Sequence, residues 1–297
     1  MAAIRQILQR KKAANNICRI TKTMEMISTA KFKSYNRLWQ SVSEYHNALA
    51  RAGYLMATGE AALTHPLLAE RTGERRAVLA VGSTRGLCGS YNSEIFKLLA
   101  VHLKMAEAVG KQLDIYLPEG RLQNSLSHYG ITPKKVYTSL DEMPTYLQIE
   151  EIADDFIEQY IKGDLEQFSM VYMHYHSTSS QQAQSLTILP LTDLIAQLAT
   201  RSTSIWPWNL SFDDFHFSPP IYKSVEALAK MIVSAWISAC FMDGALSEHF
   251  ARMVAMRNAT ENADQMIKDL TMEYNRARQT QITGELLDII GGTGALA

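Results

Sequence analysis

A glycine-containing turn in the middle of the sequence has the composition of a phosphate-binding loop. It runs from Thr84 to Asn92 with the sequence TRGLCGSYN, between a predicted strand and a predicted helix. α/β folds bind phosphate at such a place, because the free N–H groups of a helix N-terminus face the ligand. The turn has neither Walker A nor GxGxxG spacing. Two interpretations therefore stay open: a nucleotide site, or glycines at Gly86 and Gly89 that only allow a tight turn.

Two histidines and one cysteine are the other candidates for chemistry. His174 and His176 alternate along a predicted strand and so share a face. Zinc takes three or four ligands, however, and nothing nearby in the sequence completes the set. Cys88 has no adjacent Cys or His to activate its thiol. We therefore favour structural roles for all three and predict no metal site. No Ser-His-Asp or paired-carboxylate arrangement stands out.

The first forty residues are strongly basic. They contain nine Lys and Arg residues against a single acid, Glu25, which gives this segment a charge of +8. The whole chain carries −1, so the remainder carries −9. This asymmetry predicts an acidic partner: nucleic acid, anionic lipid or acidic protein loops. No groove-binding module follows the basic segment, which disfavours DNA.

Two very long predicted helices, one at each end of the chain, must position these residues. Residues 4–63 contain no proline and have their first glycine at Gly53, and residues 221–290 contain no proline and only Gly244 and Gly284. Proline costs about 3 kcal/mol inside a helix and glycine about 1. Both segments can thus be unbroken helices, roughly 90 and 100 Å long. Helices of that length must bury an apolar face against each other or against a partner.

Apolar residues in both helices follow coiled-coil spacing. The predicted N-terminal seam is Ile17, Ile20, Met24 and Ile27, then, after a stutter, Tyr35, Leu38, Val42, Tyr45, Leu49, Ala52 and Met56. The predicted C-terminal seam is Met256, Ala259, Ala263, Met266 and Leu270, then, after another shift, Tyr274 and Ala277. We predict that residues 221–290 pair antiparallel with residues 1–65. Two coils that each homodimerise are the alternative, because heptads do not declare their partner.

The middle of the chain, residues 75–205, alternates predicted strands and helices. The strands are Arg76–Val81, Leu113–Leu117, Phe168–Tyr175 and Ser185–Leu191, and the helices are Ser93–Val109 and Gln148–Ile161. Strands separated by helices imply a mostly parallel, Rossmann-like α/β domain. Thr64–Pro66 and Ser218–Pro220 should join this domain to the long helices. The predicted fold class is therefore α/β, with a long antiparallel coiled coil of the terminal helices.

Composition limits the class of protein further. The chain has 297 residues, of which 47% are hydrophobic and 20% charged, as in soluble proteins. No run of eighteen apolar residues predicts a transmembrane helix. The three cysteines are scattered and odd in number, which fits a reducing compartment.

Several segments resemble the gamma-subunit family of F-type ATP synthases. They are Ile20–Lys31 (ITKTMEMISTAK), Arg85–Gly89 (RGLCG), Ser247–His249 followed by Ala251–Ala263 (ARMVAMRNATENA), and Tyr274–Leu286 (YNRARQTQITGEL). They span both predicted helices in the family's order. Thr84 departs from the family, which usually has Asp there, and Gly284 stands where it usually has Gln.

The resemblance implies a central rotor shaft that couples transmembrane ion flow to ATP synthesis. In this family the terminal helices form an antiparallel coil inside a hexameric head of alternating alpha and beta subunits. The α/β domain sits on the membrane ring of c subunits, beside the epsilon subunit. The implied location is peripheral, on the cytoplasmic side of a bacterial inner membrane, with no nucleic acid, no membrane insertion, no cofactor and no catalytic residue.

The resemblance also implies particular contact residues. Positions that match the family's coupling and partner-contact residues are Lys22, Met24, Arg252, Gln279, Thr283 and Glu285, and those of its central turn are Arg85, Gly86 and Gly89. Read without the resemblance, the residues leave two rivals. One is an α/β nucleotide-binding enzyme with helical extensions, and the other is a basic coiled-coil adaptor or nucleic-acid binder.

Overall fold

The computed structural model describes residues 2–58, 65–177, 180–201, 216, 218 and 220–294. Its helices are α1 (Ala2–Thr58), α2 (Tyr91–Ala108), α3 (Arg121–His128), α4 (Tyr146–Lys162), α5 (Leu191–Arg201) and α6 (Ile221–Gly294). Its strands are β1 (Arg75–Ala80), β2 (Gln112–Pro118), β3 (Lys135–Tyr137), β4 (Gln167–Ser177) and β5 (Ser180–Leu189). Contacts divide the chain into two compact units, Met1–Ala30 with Arg252–Ala297, and Lys31–Ala251.

In the second unit the strands form one mostly parallel sheet, as predicted. The strand order is β3-β2-β1-β4-β5, and only β5 is antiparallel, paired with β4. In the centre of the sheet, Val78 of β1 lies between Ile115 of β2 and Ser169 of β4. The sequence did not predict β3, α3 or α5. It also placed the start of the last strand at Ser185, whereas β5 begins at Ser180.

Both faces of this sheet are buried. Along β1, Ala77 and Leu79 belong to one apolar cluster, which also contains side chains of α4, α5 and α6. Val78 and Ala80 belong to a second cluster, formed with α2 and α3. Alternate residues of a strand point to opposite faces, so a strand covered on both sides has to be apolar throughout. This explains the unbroken apolar run at the end of β1.

Helix α6 is a core element over its first half. Val225, Ala229, Ile232, Val233 and Phe241 are each at most 2% exposed and belong to the first cluster. Among the described residues, a stretch within Tyr222–Leu287 reaches a mean hydropathy of 1.5, enough for a membrane span by length and composition. Of that stretch 61% is buried. A core helix of a folded domain has the same properties, so this is weak evidence for a span.

In the first unit α1 and α6 pair antiparallel. The side-chain contacts are Cys18 with Asp264 (3.1 Å), Thr21 with Thr260 (2.8 Å) and Glu25 with Arg257 (3.1 Å). Residue numbers rise along α1 as they fall along α6, so the helices run in opposite directions. Ile7, Ala14 and Leu270 form a small apolar cluster in the same unit. The predicted antiparallel coil within one chain is therefore confirmed, and homodimerising coils are not needed to bury these faces.

The predicted seam of α1 was wrong in part. Ile17, Ile20 and Ile27 are 53%, 60% and 56% exposed, and Met24 is only half-buried. The more buried positions instead follow one continuous 3-4 spacing without a stutter: Ile4, Ile7, Lys11, Ala14, Cys18, Thr21, Glu25, Ser28, Phe32, Tyr35, Trp39, Val42, His46, Leu49, Gly53 and Met56. Leu38 and Tyr45, also predicted in the seam, are 41% and 51% exposed.

The physical reason is that small and polar side chains fill the seam between residues 14 and 28. Ala14, Cys18, Thr21 and Ser28 let the helices approach closely, and Thr21 satisfies its hydroxyl by a bond to Thr260. A rule that equates apolar with buried cannot find such a seam.

The seam of α6 needed a similar correction. Thr260 is 8% exposed, whereas Met266 is 53% exposed. Ile267 contacts the small apolar cluster of this unit. The buried and half-buried positions Met256, Thr260, Ala263, Ile267, Leu270, Tyr274 and Ala277 keep one register. Helix α6 also continues past the predicted end at residue 290 to Gly294. Residue 64 of the first predicted join, 217 and 219 near the second, and 202–205 of the predicted middle domain lie outside the described residues.

Candidate functional site

Hydrogen bonds between Ser83 and Asn92 hold the turn after β1, and Leu87 in the middle of the turn is exposed. The Ser83 N–H donates to the Asn92 side-chain oxygen at 2.9 Å, and the Asn92 amide donates to the Ser83 hydroxyl at 2.7 Å. Gly89 has a φ of 62°, as expected for a turn glycine. The other residue in the left-handed region is Leu87, with a φ of 65°, rather than Gly86. Leu87 is 58% exposed, so this strained residue lies at the surface of the turn.

A carboxylate of the same chain binds the first residue of this turn. Glu248 of α6, 3% exposed, accepts a hydrogen bond from the Thr84 N–H at 3.1 Å. Its other oxygen is 3.4 Å from the Thr84 hydroxyl. A phosphate at the end of β1 would have to displace this buried carboxylate. Of the two interpretations of the turn, the geometry favours a structural one.

A second acid of α6 reaches the end of the neighbouring strand, β4. Asp243, 4% exposed, accepts from the Tyr175 N–H at 3.0 Å and contacts the imidazole Nδ1 of His174. The rings of His174 and His176 lie 4.3 Å apart, and His176 contacts the Gln184 amide. In the part of the chain that the structure describes, no group of three or more His, Cys, Asp or Glu could hold a metal ion.

Close approach between α6 and the residue after β1 favours glycine at Gly244. A Cβ there would lie 3.0 Å from the Val81 side chain. The Gly244 carbonyl accepts a 3.0 Å hydrogen bond from the Tyr91 hydroxyl at the start of α2. In an α/β sheet the crevice beyond the carboxyl ends of the strands is the usual ligand site. Here helix α6 occupies that place at β1 and β4.

One carboxylate in the segment between β3 and α4 gathers donors from both long helices. The Oε2 of Glu142 lies 2.7 Å from Lys31 Nζ, 3.3 Å from the Tyr35 hydroxyl and 3.0 Å from His249 Nε2. The Tyr35 and His249 rings stack, with centroids 5.4 Å apart. We call these four residues the Glu142 cluster.

The electrostatics of the Glu142 cluster favour an ionised carboxylate. The hydrogen bond from His249, with that from Lys31, holds the pKa of Glu142 well below its usual range against the effect of burial. Burial and the Glu142 charge raise the pKa of Tyr35 to about 12. The cluster is thus a fixed negative charge surrounded by donors. It lines a cleft of about 750 Å³ together with the exposed Arg85 and Arg121.

The residues matched to coupling positions lie along the two long helices. On α1, Lys22 is exposed and Met24 half-buried, next to Glu25, which pairs with Arg257. On α6, Arg252 is buried, whereas Gln279, Thr283 and Glu285 are exposed. The Thr283 hydroxyl donates to the Gln279 carbonyl at 2.9 Å, and Glu285 accepts from Gln281 at 2.7 Å. None of these six residues lines the cleft of about 750 Å³ beside Glu142.

Sequence reasoning missed Glu142, Asp243 and the role of Glu248. Glu248 and His249 stand inside a recognised segment, which was a usable signal. Asp243 next to Gly244, in the middle of an otherwise apolar helix, was a second one. Glu142 lies in a segment without any pattern, and nothing in the sequence marks it.

The three cysteines are free thiols. Cys88 and Cys240 are buried, and the Cys18 thiol lies 3.1 Å from a carboxylate oxygen of Asp264. This hydrogen bond raises the pKa of Cys18.

Comparison with known proteins gives one consistent result. The model of the family described as ATP synthase matches residues 3–296. The chain is 34% identical to the ATP synthase gamma chain of Rhodopirellula baltica, covering 100% of this chain and 99% of that protein. It is 32% identical to the gamma chain of Mycobacterium tuberculosis, covering 100% and 98%.

Two solved structures share the fold. A chain of the Euglena gracilis mitochondrial ATP synthase (OSCP/F1/c-ring) aligns with a TM-score of 0.64 at 19% identity, covering 99% of this chain and 95% of that one. A chain of the Tetrahymena thermophila mitochondrial ATP synthase (central stalk/c-ring) aligns with a TM-score of 0.56 at 17% identity, covering 81% and 99%.

Proposed function

This chain belongs to the gamma-chain family of ATP synthases, and from that premise we propose that it is a noncatalytic rotor subunit on the cytoplasmic side of a bacterial membrane. It is the central-stalk subunit, which couples transmembrane ion flow to ATP synthesis in the alpha/beta hexamer. The antiparallel pairing of α1 with α6 supports the role as a shaft. The hydrogen bond between the Thr21 and Thr260 hydroxyls is one contact of this pairing.

Two paired helices can act as a shaft because they resist bending and twisting better than one. A ring of three alpha/beta pairs around a single asymmetric shaft cannot make the same contacts at all three catalytic sites. A partner shifts a conformational equilibrium by the difference in its contact energy with the two states. Each site therefore has its own nucleotide affinity at any moment, and rotation changes all three in turn.

The surface of α1 suits contact with surrounding subunits. Ile17, Ile20 and Ile27 form an exposed apolar stripe, and the first forty residues carry a charge of +8. When a partner covers an apolar stripe, the complex is stabilised by roughly 25 cal/mol per Å² of apolar surface buried. We propose the alpha and beta subunits as that partner, with acidic beta loops near Lys22, and the epsilon subunit and the c ring as partners of the α/β domain.

We further propose that Lys22, Met24, Arg252, Gln279, Thr283 and Glu285 take part in coupling, and that Arg85, Gly86 and Gly89 form a partner-contact turn. The exposure of Arg85 and Leu87 supports the second assignment. The domain boundaries 1–65, 75–205 and 221–290 belong to the same proposal.

That this subunit is itself noncatalytic is part of the same proposal. The Glu248 carboxylate accepts from the Thr84 N–H and so places an acid at the start of the turn, which disfavours an anionic ligand there. We therefore do not propose a nucleotide-binding enzyme, and nothing in the described residues favours a nucleic-acid binder. We propose the two long helices as the functional surfaces.

Coupling is tested by adding a charge at Met24. A lysine there would place a cation beside the Glu25–Arg257 pair, on the face proposed to contact the alpha and beta subunits. We expect the assembled synthase with Met24→Lys to hydrolyse ATP but to pump fewer ions per ATP. Met105→Lys adds the same charge to α2, at a residue that is 59% exposed, and should pump normally. Normal pumping with Met24→Lys would refute the assignment of Met24.

A further inference from the structure

A single oxygen atom connects the segment between β3 and α4 to both long helices. The Oε2 of Glu142 accepts from Lys31 and Tyr35 on α1 and from His249 on α6. Glu142 itself lies between β3 and α4, so it belongs to the body of the α/β unit. A shift of either helix along or around its axis would lengthen at least one of these bonds.

The Glu142 cluster has the properties of a strong contact. Its donors meet an ionised acceptor, and charge-assisted hydrogen bonds are roughly twice as strong as neutral ones. His249 is 3% exposed and Glu142 14%, so water screens this pair only weakly, whereas Lys31 is 45% exposed and its pair with Glu142 is screened more. Removing the charge would leave Lys31 without the carboxylate that pairs with it and would weaken the hydrogen bond from His249.

Three aromatic rings and two buried acids of α6 make further contacts between the long helices and the sheet. Phe32 of α1, Tyr175 of β4 and Phe250 of α6 meet pairwise with centroids 5.3–5.4 Å apart. Asp243 and Glu248 tie α6 to the ends of β4 and β1. These contacts hold each helix separately or by packing, whereas Glu142 holds both helices through one charged atom.

We infer that Glu142 is a positioning residue for rotary coupling: it locks α1 and α6 to the sheet, so that torque passes between the body and the coiled helices without slip. The inference rests on the proposed function. Without the lock, both helices can turn by small angles against the sheet. Rotation of the body then drives the helices incompletely, and ion transport and ATP turnover become partly independent.

The experiment uses the whole synthase with Glu142→Gln, reconstituted in liposomes. ATP hydrolysis and uptake of both H⁺ and Na⁺ are followed together, so that the result is ions pumped per ATP. We expect hydrolysis to be retained and pumping per ATP to fall. Asp141→Asn, the control, removes the same charge from the exposed neighbouring residue and should pump like the parent. Glu142→Asp keeps the charge and should recover part of the loss.

A second readout separates locking from general stability. Hydrogen exchange in the assembled synthase should become about tenfold faster in residues 138–145 with Glu142→Gln, since a lost charged hydrogen bond lowers the cost of local opening. Exchange in β1 should not change. Normal pumping per ATP with Glu142→Gln would overturn the inference, even if exchange increases.

A further variant covers the case in which the synthase with Glu142→Gln does not assemble. If Glu142→Gln does not assemble, Lys31→Met removes one donor, with Lys33→Met at an exposed position as its control, and unchanged pumping per ATP would again overturn the inference. Failure of the proposed function has a different signature, because the parent chain itself would then not assemble into a pumping synthase.

Discussion

At the scale of single residues, buried acids decide how the two long helices meet the sheet. Asp243, Glu248 and Glu142 each accept hydrogen bonds from groups distant in sequence. Buried carboxylates are costly unless hydrogen-bonded. Asp243 and Glu248 thereby fix α6 against the sheet, and Glu142 connects the segment between β3 and α4 to both long helices.

The Glu142 cluster predicts a dependence of stability on pH. Because the folded-state pKa of Glu142 is lowered, its stabilisation is complete above the unfolded value of 4.5 and is lost as pH falls through the folded value. We expect the stability difference between the parent and Glu142→Gln to shrink by roughly 1 kcal/mol between pH 5.5 and pH 4. Urea unfolding of both proteins at the two pH values measures it. A difference that stays constant would mean that the pKa of Glu142 is not lowered.

At the scale of elements, the seam of α1 separates buried from exposed isoleucines. Ile7 is 7% exposed and lies in the cluster with Leu270, whereas Ile20 is 60% exposed. The exposed stripe costs the isolated chain little and leaves an apolar surface for a partner. The seam itself consists largely of small residues. They bury less apolar area than large ones but allow the two helices to approach closely.

The two isoleucines form a matched pair of substitutions. Ile7→Ala should destabilise the coil by about 2 kcal/mol or more, since it removes buried methyl groups and leaves a cavity. Ile20→Ala should change stability by less than about 0.5 kcal/mol, because its side chain is mostly in solvent. Urea unfolding followed by circular dichroism compares them. Equal losses would show that the seam has been assigned to the wrong face.

At the scale of the whole molecule, the charge distribution indicates a protein that acts by binding partners. The first forty residues carry +8 and the remainder −9. Helix α6 reaches the carboxyl ends of β1 and β4, while a cleft of about 750 Å³ stays open beside the ends of β1, β2 and β3. From the uneven charge we expect the chain to bind subunits rather than a nucleotide.

Calorimetry on the isolated chain tests this conclusion. Titration with MgATP or NAD should give no binding heat, because Glu248 holds the Thr84 N–H. Glu248→Ala, which frees that N–H, serves as the comparison. A Kd for the parent below about 100 μM would favour a nucleotide-binding enzyme instead.

The sequence alone determined which parts of the chain are long helices and which part is a sheet. Proline-free segments permit α1 and α6, and strand-like runs separated by helical ones gave β1, β2, β4, α2 and α4 close to their observed bounds. These features depend on local propensity and periodicity, which act within a few residues. The short β3 and α3 were not predicted, since three or eight residues carry too little periodic signal.

Only the tertiary structure decided which faces of the helices pair and which acids fix them. Apolarity placed Ile20 in the seam, but the partner helix selects Thr21, because its hydroxyl meets that of Thr260. Glu142 is 107 residues from both Tyr35 and His249. A hydrogen bond across that distance depends on how the chain folds back on itself, and no local pattern encodes it.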